Sequence, residues 1–146
     1  MTSVRRIAPE QTLAVRWPIL RPGFPRESAV FDGDEAASTI HFGAFHGDQL
    51  VGVASIYTAQ LPERPELTPT WQLRGMATLP TVRGLGHGRA LLTACEQAIR
   101  DLDGALLWCN ARVAAAPFYF RHGWQQIGGE FEIPSVGPHF RMIREL

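Results

Sequence analysis

Hydrophobic and polar residues follow two different periods along this chain, and each period predicts a different element. The clearest signal lies at residues 39–58, where the runs "TIHFGAF" and "QLVGVASIYT" flank the polar turn "HGD". Two β-rich runs around a glycine-containing turn are typical of a β-hairpin. Residues 88–102, "GRALLTACEQAIRDL", instead have helical spacing. Their apolar positions are Leu91, Cys95, Ala98, Ile99 and Leu102.

The other segments extend this alternation of strands and helices. We predict strands at residues 3–8, 70–78, 105–109, 124–133 and 139–146, and helices at residues 9–20 and 114–123. Pro18 should bend the first helix or end it, because proline removes a backbone hydrogen bond. Residues 21–38 and 59–69 are rich in Pro, Gly and charge and should be loops, the first with a helical turn. The order strand–helix, hairpin, strand–helix, strand–helix, hairpin predicts an α/β (α+β) protein, with one domain over residues 1–146.

Composition narrows the class of protein. The chain has 146 residues, 45% hydrophobic and 19% charged, and its 14 basic and 14 acidic residues give no net charge. This balance argues against a general nucleic-acid binder, which is usually basic. The start of the chain has no signal-peptide pattern, and no apolar run reaches the roughly 20 residues that span a bilayer. We therefore expect a cytoplasmic protein without a membrane partner.

The two cysteines, Cys95 and Cys109, have neither CxxC nor metal-ligand spacing. Cys95 falls on the apolar face of the predicted helix and Cys109 at the end of a predicted strand. We predict two buried free thiols and no metal site.

Three glycines, Gly84, Gly86 and Gly88, lie at the start of the helix predicted at residues 88–102, in "TVRGLGHGRA". The first amides of a helix lack partners and carry part of the helix dipole, so they attract anions. Glycines here allow a bulky anion to approach the backbone, and Arg83 and Arg89 add positive charge. We predict a phosphate or pyrophosphate site. A glycine-rich turn without a ligand is the alternative. A P-loop would need a Lys followed by Ser or Thr, which this loop lacks. A dinucleotide-binding fingerprint would need its glycines spaced as G-x-G-x-x-G, whereas the spacing here is G-x-G-x-G.

Two motifs resemble the GCN5-related N-acetyltransferase (GNAT) family. "VRGLGHGRA" is similar to the family's coenzyme A signature, R/Q-x-x-G-x-G/A, and "LWCNARVAAAPFYFRHGW" to its second motif. With the hairpin, the resemblance covers nearly the whole chain, and "RPGFP" and "GPHF" are similar to an uncharacterised bacterial branch. The residues that fill the motifs are Arg83, Gly86, Gly88, Asn110, Ala115, Phe118, Tyr119, Gly123 and Trp124.

The resemblance implies a GNAT fold with acetyl-CoA as co-substrate and no metal. Its mixed sheet of about seven strands has helices on both faces and is splayed between the fourth and fifth strands. A bulge should fall near residues 75–77, pantetheine should bond the backbone beyond it, and Asn110 should bond pantetheine from across the cleft. From the residues alone, Asn110 reads equally well as a turn or helix-cap residue. The implied cofactor-binding residues are Met76, Ala77, Thr78, Arg83, Gly84, Leu85, Gly86, His87, Gly88, Arg89 and Asn110.

The implied reaction is direct acetyl transfer to a primary amine of a small molecule or peptide. Tyr119 occupies the family's general-acid position, and a phenol stays protonated at neutral pH. From the residues alone, its place inside "PFYF" favours a core aromatic, and only the resemblance favours the acid. The resemblance does not identify the general base that takes the proton from the amine, because Gln72 stands where some family members have a glutamate. His41 and His139 are candidates for the base because His titrates near pH 7. Both could instead be ordinary structural histidines. An ordered water is a further alternative.

Two other functions remain open at this point. One is a non-catalytic acyl-CoA-binding regulatory module, which would keep the glycine loop but need no proton donor. The other is a nucleotide-binding protein, which the missing Lys and Ser/Thr disfavour. A homodimer is common in the family. The acceptor should be chosen by the first helix and the two long loops, where no motif identifies it.

Overall fold

Seven strands form one sheet, and three helices lie against it, in the computed structural model, which describes residues 2–146. The strands are β1 (Thr2–Arg6), β2 (Ile40–His46), β3 (Gln49–Thr58), β4 (Trp71–Thr78), β5 (Leu106–Arg112), β6 (Gln125–Ile133) and β7 (Gly137–Glu145). The helices are α1 (Leu13–Leu20), α2 (His87–Asp101) and α3 (Ala116–Arg121). Short 3₁₀ turns lie at Pro9–Thr12, Arg26–Ala29, Pro80–Val82 and Val113–Ala115.

The sheet is mixed, as the resemblance implies. Its order is β1-β2-β3-β4-β5-β7-β6, and all neighbours are antiparallel except the parallel pair β4 and β5. The predicted hairpin is confirmed as β2 and β3, and the last two strands form a second hairpin.

Helices cover both faces of the sheet, which also confirms the expectation. On one face, α2 buries Leu91, Cys95 and Ile99 in the largest hydrophobic cluster. On the other face, Val15 of α1 packs with Val53 of β3 and with β4. The α3 helix adds to the α2 face. The sheet is therefore the middle of three layers.

The sheet is open between β4 and β5. These strands are paired only at Trp71 with Leu107 and at Gln72 with Trp108. Beyond these positions both strands continue without partners across the gap, to Thr78 and to Arg112. The splay expected between the fourth and fifth strands is therefore present.

Strand β4 has a bulge just beyond the positions where it pairs with β5, at the edge of this gap. Arg74 is opposite Ser55 and Ala77 is opposite Val53, so two residues of β4 face one of β3. Gly75 lies in this bulge with φ at +67°, and a Cβ there would lie 2.8 Å from the Arg16 Nε. Only glycine has this backbone freedom without a steric cost.

Several boundaries differ from the sequence-based expectation, and two of these differences have a clear physical reason. Helix α1 continues through Pro18 to Leu20, so an end before the proline is wrong. Pro18 removes only the bond to the carbonyl of Ala14, an exposed residue whose carbonyl water can reach. Strand β5 runs three residues beyond its predicted end, to Arg112, because β7 pairs with it along that whole length. Within residues 2–146, no helix is long and apolar enough to cross a membrane.

Candidate active site

The gap between β4 and β5 opens into a cavity of about 310 Å³. Residues from β4, β5, α3 and the β6–β7 hairpin line it, and so do Leu20, Arg21 and Phe31 from the end of α1 and the following loop. Four predicted site residues meet here: Met76, Asn110, Tyr119 and His139. The splay therefore brings together side chains that are up to 63 positions apart in the sequence (139 − 76).

Tyr119 lies on α3 and is buried in the wall of this cavity. Its ring packs against Phe118 and Trp124, each with ring centroids 5.2 Å away. Burial raises the pKa of Tyr119 well above its ordinary value, and the Cys109 thiol beside it adds to the shift. The phenol therefore keeps its proton throughout the neutral range.

His139 on β7 also lines the cavity and is buried. Its Nδ1 is 2.7 Å from the carbonyl oxygen of Gly137. A carbonyl only accepts, so Nδ1 carries the hydrogen and Nε2 of the neutral ring has a free lone pair. His139 can accept a proton at Nε2.

The structure does not bring His41 into this cavity. Its Nε2 lies 2.9 Å from the carbonyl oxygen of Asp34 and donates to it, and its Nδ1 lies 2.6 Å from the Ser55 hydroxyl. Both ring nitrogens of this buried side chain are thus engaged in structural hydrogen bonds, so His41 is not placed to act as a base.

The glycine loop lies between β4 and α2, and its geometry leaves room for a ligand. Gly84 and Gly86 have φ of +82° and +90°, and no protein atom lies within 4 Å of a Cβ built on either. The α2 N-terminus has no side-chain cap, and the amides from Gly86 to Arg89 have no acceptor among residues 2–146. Such outward-facing amides form an anion-binding surface.

The side chains of this loop differ in exposure. Arg83, Leu85 and Arg89 are exposed. His87 is buried, with its Nε2 3.2 Å from the Thr2 hydroxyl and its ring against His46. His87 can therefore face a ligand only with its backbone.

Asn110 lies on β5 at the edge of the cavity, with its side chain held by a neighbour. Its Oδ1 accepts a hydrogen bond from the Arg141 guanidinium, which also pairs with Glu63 at 3.1 Å and stacks over Trp108 and Phe131. The carboxamide is thus oriented before any ligand arrives. Gln72 lines the cavity as well, and its amide cannot accept a proton.

A buried ion pair lies behind the bulge, and it was not predicted from the sequence. Arg16 of α1 donates to both carboxylate oxygens of Asp34, at 2.7 and 3.1 Å, and to Ser55 and Tyr57. Burial raises the pKa of Tyr57 to about 12. Because the Arg16 Nε lies against Gly75, this network supports the bulge from the α1 side.

The two cysteines are free and buried, as predicted. Burial raises the pKa of both thiols, so neither forms the reactive thiolate at neutral pH. In the described part of the chain, no three His, Cys, Asp or Glu side chains come together as a metal site.

Comparisons with known proteins agree on one family. A model described as "Acetyltransferase (GNAT) domain" matches residues 27–145. The "Uncharacterized N-acetyltransferase YitI" of Bacillus subtilis (strain 168) is 33% identical over 146 residues, covering 100% of this chain and 97% of YitI.

Solved structures show the same fold. Escherichia coli ElaA matches with a TM-score of 0.78 at 17% identity, covering 99% of this chain and 100% of ElaA. An aminoglycoside 6′-N-acetyltransferase complexed with coenzyme A matches with a TM-score of 0.75 at 14% identity, covering 98% of this chain and 96% of that one. The fold, the family model and the full-length likeness to YitI lead to one conclusion: the chain belongs to the GNAT family and is an acyl-CoA-dependent N-acetyltransferase.

Proposed function

We propose that the chain transfers the acetyl group of acetyl-CoA directly to a primary amine of a small molecule or peptide, with Tyr119 as the general acid. The observation that carries the proposal is the position of Tyr119. It is a buried, protonated phenol in the wall of the cavity between β4 and β5.

Acetyl-CoA fits this site with its phosphates on the glycine loop and its thioester in the cavity. The uncapped amides of α2 and the open space at Gly84 and Gly86 suit a pyrophosphate. The unpaired edge of β4, from Met76 to Thr78, offers backbone groups to the amides of pantetheine, and Asn110 lies across the gap. We assign the cofactor-binding role to these residues.

The reaction then needs two proton transfers. The amine nitrogen attacks the thioester carbon, the nitrogen–carbon bond forms, and the carbon–sulfur bond breaks. The amine loses one proton, to His139 Nε2 directly or through water, and the departing sulfur gains one from the Tyr119 hydroxyl. The products are the acetylated amine and CoA with a free thiol. No acyl-enzyme is required, which agrees with the buried and protonated cysteines.

The test compares the only two tyrosines of the chain. Tyr119→Phe should lower kcat roughly a hundredfold or more, as expected for loss of a positioned acid, and leave acetyl-CoA affinity nearly unchanged. Tyr57→Phe is the control for the loss of a buried hydroxyl: it should lower stability, because that hydroxyl bonds Arg16 and Asp34, and keep kcat, because it lies outside the cavity. Turnover is measured as CoA release with a panel of amines, and acetyl-CoA affinity by calorimetry.

Two results would contradict the proposal. A folded Tyr119→Phe variant with wild-type kcat, under conditions where chemistry limits the rate, would remove the acid role. Tight acetyl-CoA binding without CoA release for any amine would favour the non-catalytic binding module.

A further inference from the structure

Three arginines line the cavity and have no structural counterion. Arg21 directly follows α1, Arg74 precedes the bulge of β4, and Arg112 ends β5. None of the three has a carboxylate oxygen within 4.0 Å among residues 2–146. By contrast, five other arginines do pair with Asp or Glu: Arg16, Arg64, Arg100, Arg141 and Arg144.

The three positive charges lie close to one another. The pKa of Arg21 is lowered by its burial and then by the charges of Arg112, Arg74 and Arg16. Arg21 and Arg74 also share one aromatic surface, with guanidinium carbons 5.3 and 4.7 Å from the centroid of the Phe31 ring. Phe31 therefore holds two like charges side by side, and among residues 2–146 only aromatic faces and the Leu20 carbonyl oxygen, which carry partial charges, compensate their repulsion.

The wall of the cavity contains no acidic side chain to neutralise them. Among the described residues, neither Asp nor Glu lines it. Asp32, which directly follows Phe31, is exposed and does not line the cavity, and Asp34 is already bonded to Arg16 on both oxygens. The cavity therefore has a net positive charge that only a bound anion would balance.

This positive site lies on the opposite face of the sheet from the glycine loop. Leu73, Cys109 and Ala111 pack into the cluster below α2. Successive side chains of a strand point to opposite faces, so Arg74 and Arg112 point to the α1 face. The loop that suits the coenzyme phosphates adjoins α2, so the arginines are available to a different anion.

We propose that the acceptor is a small amine that also bears a carboxylate, and that Arg21, Arg74 and Arg112 bind this carboxylate. This inference rests on the proposed transfer to an amine. Guanidinium groups bind carboxylates through paired, charge-assisted hydrogen bonds. With the carboxylate held on the α1 face, the amine of the same molecule faces the gap that contains Tyr119 and His139.

The size of the cavity limits the acceptor. Its volume of about 310 Å³ must also take the thioester end of acetyl-CoA. The remaining space suits a molecule of amino-acid size better than a folded protein surface. The chemical class is therefore an amino carboxylate.

The experiment compares each common amino acid with its own primary amide as acceptor, using the full chain and saturating acetyl-CoA. The pair differs only in the charge of the carboxyl group. For the best acceptor we expect kcat/KM to be higher for the acid than for the amide by about tenfold or more, the size expected when a hydrogen bond between charged groups is lost.

Three variants test the arginines. Arg74→Gln and Arg112→Gln should each raise KM for the amino acid by about tenfold, abolish the preference over the amide, and leave the KM of acetyl-CoA unchanged. Arg112 is exposed, so its replacement should fold normally even if Arg74→Gln is unstable. Arg64→Gln is the matched control, because Arg64 pairs with Glu145 outside the cavity. It should behave as wild type.

Three outcomes overturn the inference, and they differ from a failure of the proposed function. Equal use of acids and amides by the wild type would show that the carboxylate is not recognised, while acetyl transfer itself stands. A raised acetyl-CoA KM in Arg74→Gln or Arg112→Gln would assign the arginines to the coenzyme. If no amine is acetylated, the proposed acetyl transfer fails. The carboxylate inference is then tested by calorimetry, in which the amino acids are titrated into the CoA-bound protein. Binding that is lost in Arg112→Gln supports it, and absence of binding overturns it.

Discussion

At the scale of single residues, the buried ion pair of Arg16 and Asp34 connects α1 to the loop on that side of the site. Arg16 is fully buried, and its guanidinium also donates to the carbonyl oxygen of Ala29 at 3.0 Å. The Asp34 carboxylate accepts in addition from the Tyr57 hydroxyl and the Phe31 amide. These bonds fix the loop that carries Phe31, and Phe31 in turn supports the arginines of the cavity.

Asp34→Asn should lower the free energy of unfolding by about 3–5 kcal/mol, because it leaves the buried Arg16 charge without its partner. Denaturant titration measures this change. Asp32→Asn is the control, since Asp32 is exposed two residues away and should change stability little.

The same pair predicts a pH dependence. Burial alone would raise the pKa of Asp34, but hydrogen bonds from Arg16, Tyr57 and the Phe31 amide outweigh it and lower that pKa. A carboxyl group with a lower pKa in the folded state stabilises the fold fully above its unfolded pKa, near 4, and loses this contribution as the pH falls through its folded value. The stability difference between wild type and Asp34→Asn should therefore shrink at acidic pH. A difference that stays constant down to pH 2 would contradict the linkage.

At the scale of elements, the start of α2 has the backbone geometry that the proposed coenzyme site requires. Gly86 stands at the N-cap position in a left-handed conformation, where a side chain would be strained although it would meet no protein atom. The open space in front of it is the space assigned to the coenzyme phosphates.

Gly86→Glu and Gly86→Ala form a matched pair at this position. Both carry the same backbone strain, roughly 1–2 kcal/mol. Only the glutamate adds bulk and negative charge in front of the amides. Acetyl-CoA affinity should therefore fall at least about tenfold further in Gly86→Glu than in Gly86→Ala, which is about 1.4 kcal/mol. Calorimetry decides this, and equal affinities of the two variants would exclude the loop from the coenzyme site.

The elements were largely predictable from the sequence, because periodicity reports burial directly. The β2–β3 hairpin and α2 lie within one or two residues of their predicted bounds. The last turn of α2 shows the limit, since Leu102 follows the apolar spacing but lies beyond the helix and is half exposed. The extension of β5 to Arg112 was not predictable, since it depends on pairing with β7.

The cavity residues show a second limit of prediction. Motifs led to Tyr119, and the structure brings it together with His139. No local pattern joins Arg21, Arg74 and Arg112, which lie 53 and 38 positions apart (74 − 21 and 112 − 74). Their proximity comes from the sheet order and the splay, so a charge cluster of this kind becomes visible only once the strands are placed.

At the scale of the whole molecule, the sheet consists of two blocks that share little pairing. One block contains β1 to β4 and the other β5, β7 and β6, and between them β4 and β5 pair at only two positions. A ligand in the gap would contact both blocks and reduce their relative motion.

Hydrogen exchange should detect this effect. At short labelling times, when local opening dominates, acetyl-CoA should slow the exchange of amides in residues 73–78, 109–112 and 84–89. The pairing of β1 with β2, far from the gap, is the internal control and should change little. Uniform slowing across both regions would indicate general stabilisation without bridging of the gap.

The two sides of the cleft come from different stretches of chain, and this has a consequence for evolution. The proposed coenzyme side uses the loop after β4 and the start of α2, whereas the proposed acceptor side combines Arg74 and Arg112 of the sheet with the end of α1, the loop after it and the β6–β7 hairpin. Surface connections tolerate substitution and insertion better than the elements that they join. A descendant of this chain could therefore change its acceptor preference through residues 21–39 and 133–137, while Arg74 and Arg112 of the sheet are retained. The thioester chemistry would be inherited intact, and gene duplication would need only to diversify these connections.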